Sequence, residues 1–378
     1  MVALARKSLL YEWRRYLPAA IAVGLAGVLL FAQAALVLGI FATAGVFVRA
    51  STADLWVGYP QTPSVDLGRP VSALAEMRLR MQPGVAQVDA LHWLDASWLA
   101  PGSRKRVAVV VAGINLAPDG LLFAHVLTAK ARAQLLEPGA IAVDPADLSK
   151  LDITVGQYGY IEGHRVKVVG LVPGLRGLGA VTVIASQDTA RWLAASATLG
   201  SNATYYLARL GVGADPVQAR QQLQATASQG RFEVWTAPEF ARRTTLFWLF
   251  DTGAGLGFIA ASLLVFAVGA VIASQALSAA IAGSLREFAM LRALGVARKE
   301  LAAIILTQAS WLGGTGLLLA TLVCAVVVML ARAADVPIAP SAAIAALCAT
   351  GVMLVAWFAG LASLMRLAQC EPATLLRA

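Results

Sequence analysis

The chain alternates between long uncharged apolar stretches and one long segment of mixed polarity. Four stretches carry no charged residue: Tyr16–Val48, Thr252–Leu285, Leu301–Ala331 and Val336–Met365. A helix that crosses a bilayer needs ~20 apolar residues, and each stretch exceeds that length. The pattern therefore predicts four transmembrane helices, with most of the water-soluble mass inserted between the first and the second.

The stretches are longer than a bilayer requires. The second has 34 residues, which as a helix would extend about 50 Å at ~1.5 Å per residue, whereas the hydrocarbon core is about 30 Å thick. We therefore expect the first and second helices to continue out of the membrane as a stalk, or to tilt. The first stretch is also too long for the apolar region of a cleaved signal peptide, which spans roughly 7–15 residues.

Composition agrees with a membrane protein. Of the 378 residues, 59% are apolar and only 13% are charged, whereas soluble domains carry roughly 25% charged residues. The three cysteines are Cys324, Cys348 and Cys370, and segment 50–243 has none. This excludes a disulfide framework or a cysteine-based zinc site from that segment.

Basic residues flank the predicted spans unequally. They are Arg6, Lys7, Arg14 and Arg15 before the first span, Arg286, Arg292, Arg298 and Lys299 between the second and third, and Arg366 and Arg377 after the fourth. The turn 332–337 between the third and fourth spans has only Arg332, close to Asp335. Because short cytoplasmic loops are rich in Lys and Arg, we expect both termini and the second loop to be cytoplasmic, and segment 50–243 to be periplasmic. The chain is thus predicted to be a multi-pass protein of the bacterial inner membrane.

These boundaries divide the chain into eight predicted segments. They are a cytoplasmic segment 1–15, a first span 16–48, an extracytoplasmic domain 49–243, a second span with its stalk 244–283, a cytoplasmic helix 284–300, a third span 301–331, a fourth span 336–365 and a cytoplasmic tail 366–378.

Glycines recur in two of the spans. Gly253, Gly255 and Gly257 open the second, and Gly313, Gly314 and Gly316 are expected to interrupt the third. Small residues allow close helix packing, either within one chain or across a homodimer seam. No span has a charge at its centre, which argues against a transporter driven by an ion gradient, because such proteins usually carry ionisable residues inside the membrane.

The inserted segment mixes β-rich and helical patterns. Strands are predicted at Arg106–Ile114, Ala140–Val143, Tyr158–Glu162, Val166–Val172 and Ala180–Ile184, and helices at Leu74–Met81, Thr128–Leu136 and Pro216–Ala227. Turn-forming Gly and Pro separate them. The segment is predicted to be an α+β domain, of one or two lobes, large enough to bury its own core.

The inserted segment shows no pattern typical of catalysis or metal binding. The histidines, His92, His125 and His164, are widely spaced and lack the ligand cluster that a metal site needs. Asp144 and Asp147 lie in an Asp-Pro-Ala-Asp sequence, which is typical of a turn and helix cap rather than of an acid pair. We predict no catalytic, metal-binding or cofactor-binding residue in this chain.

Two tryptophans in the inserted segment have two interpretations. Trp93 and Trp98 are five residues apart in a region of mixed polarity. They could line an apolar ligand groove, but large aromatic side chains usually dominate core burial. We favour the core interpretation.

The loop between the second and third spans has a helical pattern. Leu285, Phe288, Leu291 and Leu294 recur at i, i+3, i+6 and i+9, with Arg286, Glu287 and Arg292 off that stripe. Such spacing is typical of one apolar face of a helix, and Gly295 is suited to end it. Periodicity alone leaves open a membrane-surface helix with no protein partner.

The sequence of this loop, R-E-F-A-M-L-R-A-L-G, resembles the coupling-helix signature of FtsX/MacB-type ABC transporter permeases. The ending Glu371–Arg377, the segment Ala53–Val57 after the first span and the β-rich stretch Glu137–Val172 resemble the same permeases. The order of one span, a large domain and three spans is also theirs. Length and the Asp-Leu-Trp start are most similar to the DevC-like subfamily. The resemblance implies that the inserted domain is of the MacB periplasmic-core type.

The resemblance implies a function in which the chain transmits motion, rather than conducting a substrate through its membrane helices. ATP-driven closure of a nucleotide-binding subunit would be passed through the helices to the extracytoplasmic domain, which the family calls mechanotransmission. The residues implied to dock on the ATPase are Arg286, Glu287, Phe288, Leu291, Arg292, Leu294 and Gly295. An exporter working with a periplasmic adaptor and a TolC-like outer-membrane channel is the leading hypothesis. An FtsX-like regulator of extracytoplasmic hydrolases and a lipoprotein-releasing permease are the alternatives.

ATP hydrolysis is expected in a separate subunit. A P-loop places Gly before the Lys that reaches the phosphates, and none of the six lysines of this chain follows a glycine. We therefore expect no enzyme activity and no cofactor in the chain, with ATP-Mg bound by the partner ATPase. ABC geometry needs two permease copies, and a homodimer is the simplest arrangement. No nucleic-acid partner is expected.

Overall fold

The structure is a computed structural model that describes residues 13–194, 202–282, 290, 297–333 and 341–369. The chain divides into two compact units. The membrane unit comprises Met1–Gly39 and Leu256–Ala378, and the inserted domain comprises Ile40–Gly255.

The described helices and strands follow one another in a fixed order. They are α1 Trp13–Ala44, α2 Val46–Arg49, β1 Leu55–Gly58, α3 Ala73–Met81, β2 Val85–Leu99, β3 Arg106–Ile114, α4 Ala129–Leu135, β4 Ala140–Val143, α5 Leu148–Leu151, β5 Tyr158–Ile161, β6 His164–Leu171, β7 Val181–Ser186, α6 Gln187–Leu193, β8 Tyr205–Leu210, α7 Pro216–Gly230, β9 Glu233–Thr236, α8 Ala237–Leu246, α9 Gly253–Ala282, α10 Arg298–Ala333 and α11 Ala342–Gln369. A π-helical turn, Phe247–Asp251, separates α8 from α9.

Four of the helices are long and apolar enough to cross a membrane. Their candidate spans are Tyr16–Ala44, Gly253–Ala276, Ala302–Ala333 and Ala342–Leu361. In hydrocarbon every backbone polar group must be bonded internally, and a helix achieves this within one segment. The predicted fold class, four membrane helices plus an inserted α+β domain, is confirmed.

Glycines bring the membrane helices into close contact. A Cβ atom at Gly316 of α10 would lie 2.7 Å from Val23 Cγ1 of α1, and one at Gly313 would lie 3.1 Å from Met353 Sδ of α11. These two glycines therefore serve packing within the chain. Helix α10 runs through them without a break, so the expectation that they interrupt the third span is wrong. A side chain at Gly314 would meet nothing within 4 Å.

The strands of the inserted domain form two parts that share β2. In one part, each strand pairs with the next in the order β2, β3, β7, β4, β6, β5. Strand β5 also pairs with β2, so the pairings form a closed ring. Two of these pairs, β3 with β7 and β4 with β6, are parallel. In the other part, β2, β8, β1 and β9 form an antiparallel sheet.

Strand β2 changes partner midway along its length. Val85–Leu91 pair with β8, and His92–Leu99 pair with β3. The strand therefore contributes to several packing environments. Leu91 and Trp93 belong to one apolar cluster, Val88 to a second and Trp98 to a third. The second and third clusters each belong to one part of the domain, the first contains residues of both parts, and β2 contributes to all three.

Short polar side chains begin several of the helices. Thr128 Oγ1 accepts a hydrogen bond from the backbone of Ala131 at 3.2 Å, and Ser186 Oγ accepts one from Thr189 at 3.1 Å. The Asp215 carboxylate accepts one from Val217 at 3.0 Å, ahead of Pro216 in the first turn of α7. Such caps satisfy backbone N–H groups that a helix leaves free.

Strand and helix predictions in the inserted domain were confirmed where the apolar pattern was simple. All five predicted strands and all three predicted helices are present, with ends that differ by at most a few residues. The strands β1, β2, β8 and β9 and the helices α6 and α8 were not predicted. Strand β2 was missed because the positions of its buried residues do not alternate regularly along the strand, so no single period describes them.

Candidate functional site

The residues predicted to dock on an ATPase are Arg286, Glu287, Phe288, Leu291, Arg292, Leu294 and Gly295. All seven lie outside the described residues, so their contacts stay a prediction. The last described residue of α9 is Ala282, and α10 begins at Arg298.

The described spans carry almost no charged side chains. Tyr16–Ala44, Gly253–Ala276 and Ala342–Leu361 have no Asp, Glu, Lys, Arg or His, and Ala302–Ala333 has only Arg332, in the last turn of α10. Polar contacts between the spans include neutral groups, such as the 3.0 Å hydrogen bond from Trp357 Nε1 to Ser310 Oγ. Within the described spans there is accordingly no relay of charged groups along which an ion could pass.

The inserted domain ends in a base that the chain enters and leaves. We use "domain base" for α2, the turn Thr62–Leu67 and α8. Helices α2 and α8 pack closely, since a Cβ atom at Gly45 would lie 3.1 Å from the Ala241 carbonyl oxygen. Phe47 of α2 meets Trp93 edge-on, with ring centroids 4.8 Å apart. The base is therefore anchored in the core of the domain rather than attached by a linker.

An aromatic cluster holds α8 against the sheet. Phe240 is fully buried and stacks on Trp235 with ring centroids 4.6 Å apart and planes 9° apart. Trp56 of β1 and Tyr205 of β8 lie on its other sides, at 5.7 Å each. Burial of large rings supplies much of a core's stability, so this packing fixes α8 to the sheet.

Polar contacts tie the turn Thr62–Leu67 to the chain that leads into α9. Trp248 Nε1 donates to Ser64 Oγ at 3.1 Å and to Asp66 Oδ1 at 3.2 Å. The backbone N–H of Val65 donates to Thr244 Oγ1 at 3.3 Å. Ser64 also donates to the Asp66 carboxylate. We refer to these contacts as the latch.

Tyr205 supports the latch from inside the domain. Its hydroxyl donates to the carbonyl oxygens of Ser64, at 3.3 Å, and Val65, at 2.8 Å. Burial, and secondarily the Asp66 carboxylate, raise the pKa of Tyr205 well above its ordinary value. The phenol therefore remains a neutral hydrogen-bond donor, and it fixes the backbone of the turn.

The residues considered for catalysis have structural roles. Asp144 caps the turn that follows β4, accepting from Ala146 N at 3.0 Å and Gly174 N at 2.8 Å, as predicted. Asp147 pairs with Lys150 at 2.7 Å. Across the described part of the chain, no group of three or more His, Cys, Asp or Glu side chains is placed to hold a metal ion.

The two tryptophans of β2 are core residues, as predicted. Trp98 is fully buried and donates from Nε1 to the Leu151 carbonyl oxygen at 2.9 Å. Trp93 is 7% exposed and packs against Phe47.

Sequence reasoning did not single out Ser64, Asp66, Thr244 or Trp248. The available signals were the turn-forming Thr-Pro-Ser sequence at 62–64 and a tryptophan at the edge of an apolar span. Neither signal indicates that the two segments, about 180 residues apart, meet.

The architecture defines a class first: a helical membrane protein with a folded domain inserted after its first span. Residues 259–372 match the family model described as FtsX-like permease C-terminal. This region holds most of α9, all of α10 and α11, and the predicted docking loop. The chain thus carries the C-terminal membrane region of an FtsX-like permease, and the resemblance to the FtsX/MacB-type permease superfamily is confirmed.

Two solved structures are similar to part of the chain. The periplasmic region of MacB from Actinobacillus actinomycetemcomitans is 12% identical, with a TM-score of 0.36, over 50% of this chain and 92% of that one. The extracellular domain of the noncanonic ABC-type transporter YknZ from Gram-positive bacteria is 14% identical, with a TM-score of 0.34, over 49% of this chain and 100% of that one. Both TM-scores are low, so no conclusion about this chain is drawn from these two similarities. No curated protein sequence matches the chain.

The superfamily fixes the function at a coarse level. Its members are permease components of ABC-type systems, which implies a membrane subunit that is not itself an enzyme. It also implies an ATPase partner and a dimeric arrangement.

Proposed function

We propose that the chain is the membrane subunit of an ABC exporter that works by mechanotransmission. A separate ATPase binds and hydrolyses ATP-Mg on the cytoplasmic side, and two copies of this chain form the permease. Closure of the ATPase moves the spans, and the spans move the inserted domain on the periplasmic side. Cargo leaves from the periplasm or the inner membrane, through an adaptor and an outer-membrane channel of the TolC type.

One observation carries this proposal. The amphipathic sequence 285–295 joins two uncharged spans inside the region that matches the FtsX-like family model. An apolar stripe flanked by Arg286, Glu287 and Arg292 suits a groove on a protein partner, since apolar anchors at helical spacing are how helices dock in grooves. Spans without charged groups favour transmission of motion over conduction of a charged cargo.

The orientation of the chain is part of the proposal. Basic residues before α1 and around the docking loop favour a cytoplasmic position for both termini and for that loop. The inserted domain is then periplasmic. Cysteines placed singly at Asn202 in the domain and at Arg298, the first residue of α10, in a background without the native cysteines, test this. A membrane-impermeant thiol reagent should label the first in intact spheroplasts and the second only after lysis.

The docking loop is tested by a double substitution. Arg286→Ala with Leu291→Asp removes one cation and one apolar anchor, so the ATPase should no longer co-purify and coupled ATPase activity should fall more than ~10-fold, as expected when a central contact is lost. Arg332→Ala, in the last turn of α10 at the opposite end of the span, is the matched control and should retain both. The assignment is wrong if the double variant still binds the ATPase and remains coupled.

The identity of the co-purified partners separates export from the alternatives. An adaptor and an outer-membrane channel in the native complex support export. A cell-wall hydrolase supports an FtsX-like regulatory role, and a second, different permease supports lipoprotein release.

A further inference from the structure

The chain departs from α-helical geometry twice where it leaves the inserted domain. Phe247–Asp251 form a π-helical turn directly after α8, and Thr252 is then extended, with φ −93° and ψ 139°. Single π-helical turns are rare and frequently mark functional sites. The segment Phe247–Gly255, which we call the joint, therefore breaks what would otherwise be one continuous helix from α8 into α9.

A glycine makes this broken geometry possible. A Cβ atom at Gly255 would lie 2.1 Å from the Leu249 carbonyl oxygen and 2.6 Å from that of Trp248. No real side chain tolerates such distances, and the atoms in the way are backbone. The carbonyls of the π-helical turn are thus folded over Gly255. By contrast, Cβ atoms at Gly253 and Gly257 would meet nothing within 4 Å.

The broken geometry is also held by side chains. Thr252 Oγ1 donates to the Trp248 carbonyl oxygen at 2.6 Å and accepts from Gly255 N at 3.4 Å. The latch then ties Trp248 and Thr244 to the turn Thr62–Leu67. Thr244 and Ser64 are fully buried, so these bonds are shielded from competition with water.

The sequence leaves a straight alternative open. After Pro238, no proline occurs up to Ala282, so nothing removes a backbone donor from a continuous helix. The residues of the π-helical turn are compatible with an α-helix, and each glycine costs only ~1 kcal/mol relative to alanine in a helix interior. Release of the latch loses its hydrogen bonds, and this loss offsets part of the free energy that a continuous helix would gain.

We propose that the joint is a two-state hinge that couples the second span to the inserted domain, with the Trp248 latch holding one of its states. In the latched state the π-helical turn folds over Gly255. In the other, Trp248 leaves Ser64 and Asp66, and α8 continues into α9 as regular helix. A change of one residue in helical register corresponds to about 100° of rotation and ~1.5 Å of rise.

This inference rests on the proposed function, because it names the place where motion of the spans reaches the domain. The aromatic packing of Phe240 keeps α8 fixed to the sheet. Rotation at the joint therefore makes or breaks the contact of Trp248 with the turn Thr62–Leu67, while α8 keeps its place on the sheet. In this scheme Trp248 and Gly255 are positioning residues.

The test uses the full chain in lipid nanodiscs, alone and with its co-purified ATPase. Gly255→Ala blocks the folded turn, so it should release the latch and speed amide hydrogen exchange in residues 62–67 about tenfold, as local opening does. Gly257→Ala is the matched control and should leave that exchange unchanged. Trp248→Phe keeps the ring but removes the N–H donor, and it should give a similar acceleration without a backbone clash.

The second readout is coupled ATPase activity. Both Gly255→Ala and Trp248→Phe should lower it at least ~5-fold while the ATPase still co-purifies, consistent with the loss of one or two hydrogen bonds. Unchanged exchange in Gly255→Ala and Trp248→Phe overturns the hinge. Faster exchange with full coupled activity overturns its role in transmission. Retained coupling in the Arg286→Ala, Leu291→Asp variant counts against the proposed function instead, whatever the exchange at the joint.

Discussion

The inserted domain and the membrane unit use apolar residues in opposite ways. The domain buries several of its largest side chains completely; Trp56, Trp98, Tyr205 and Phe240 are all less than 2% exposed. In the second span, only 6% of the residues in the most apolar window are buried within the chain. The domain is held together by removal of apolar surface from water. The membrane unit has no such force between helices, because lipid tails are as apolar as its own side chains.

This difference predicts where a substitution is costly. In the domain, loss of apolar volume leaves a cavity in a close-packed interior. In the membrane unit, cost arises mainly where helix backbones approach closely, which is where glycines lie. The following predictions, from the largest expected effect to the smallest, test that contrast.

The largest contrast is expected between two phenylalanines. Phe240→Ala removes a buried ring stacked on Trp235 and should cost ~3–5 kcal/mol of unfolding free energy. Phe358→Ala in α11, whose side chain is 68% exposed in the chain, should cost less than about 1 kcal/mol. Thermal unfolding of the full chain in detergent measures both. Equal losses would contradict the idea that only the domain depends on its own core.

The second contrast concerns two glycines of neighbouring strands. A Cβ atom at Gly159 of β5 would lie 2.1 Å from Trp98 Cη2, whereas one at Gly170 of β6 would have no neighbour nearer than 3.9 Å. Gly159→Ala should therefore lower stability by ~1–3 kcal/mol through overpacking, and Gly170→Ala should be nearly neutral. Chemical denaturation followed by tryptophan fluorescence compares them. A neutral Gly159→Ala would mean that Trp98 is free to move.

The third contrast lies inside the membrane. Gly316→Ala places a methyl group against Val23 of α1, and Gly314→Ala places one in open space. The first should weaken packing of α10 on α1 by about 1–2 kcal/mol, and the second should not. Resistance to unfolding in SDS reports on both variants. If Gly314→Ala is the more damaging, that face of α10 contacts a second copy of the chain.

The smallest effect is a dependence on pH that belongs to the domain. Burial, and secondarily the Arg191 guanidinium, lower the pKa of His92 below its ordinary value of 6.5. The unfolded chain then binds the proton more readily, so stability from neutral His92 is complete above pH 6.5 and is lost as the pH falls toward the folded-state value. His92→Asn should lose less stability than the natural chain between pH 7.5 and 5. The matched control, exposed His125→Gln, should behave as the natural chain.

Sequence reasoning succeeded where one local pattern decided the structure. The four spans follow from uncharged runs such as Tyr16–Val48, and strand β3 follows from an unbroken run of β-branched and small residues. Asp144 was identified as a cap because the bond it accepts from Ala146 N joins groups two residues apart. In each of these cases the interacting groups are close in sequence.

Sequence reasoning failed where distant segments had to meet. The length and continuity of β2 depend on β8 at one end and β3 at the other. The apolar face of the strand changes between these partners, so its sequence has no constant period. Trp248 resembles any tryptophan at a membrane boundary until the turn Thr62–Leu67 is placed beside it.

The sequence by itself determined that this protein has four membrane helices and a large domain after the first of them. It also predicts a docking loop of the FtsX/MacB type between the second and third spans. Those features follow from the positions of charged residues, the lengths of the apolar runs and the local spacing of apolar residues. Only the tertiary structure decided that α10 passes unbroken through its glycines and that Gly159 leaves room for the ring of Trp98. It also decided that the helix is interrupted between α8 and α9 and held there by the latch. The fit of Gly159 against Trp98 and the bond from Trp248 to Ser64 depend on distances of 2–4 Å between residues far apart in the chain, which no local pattern encodes.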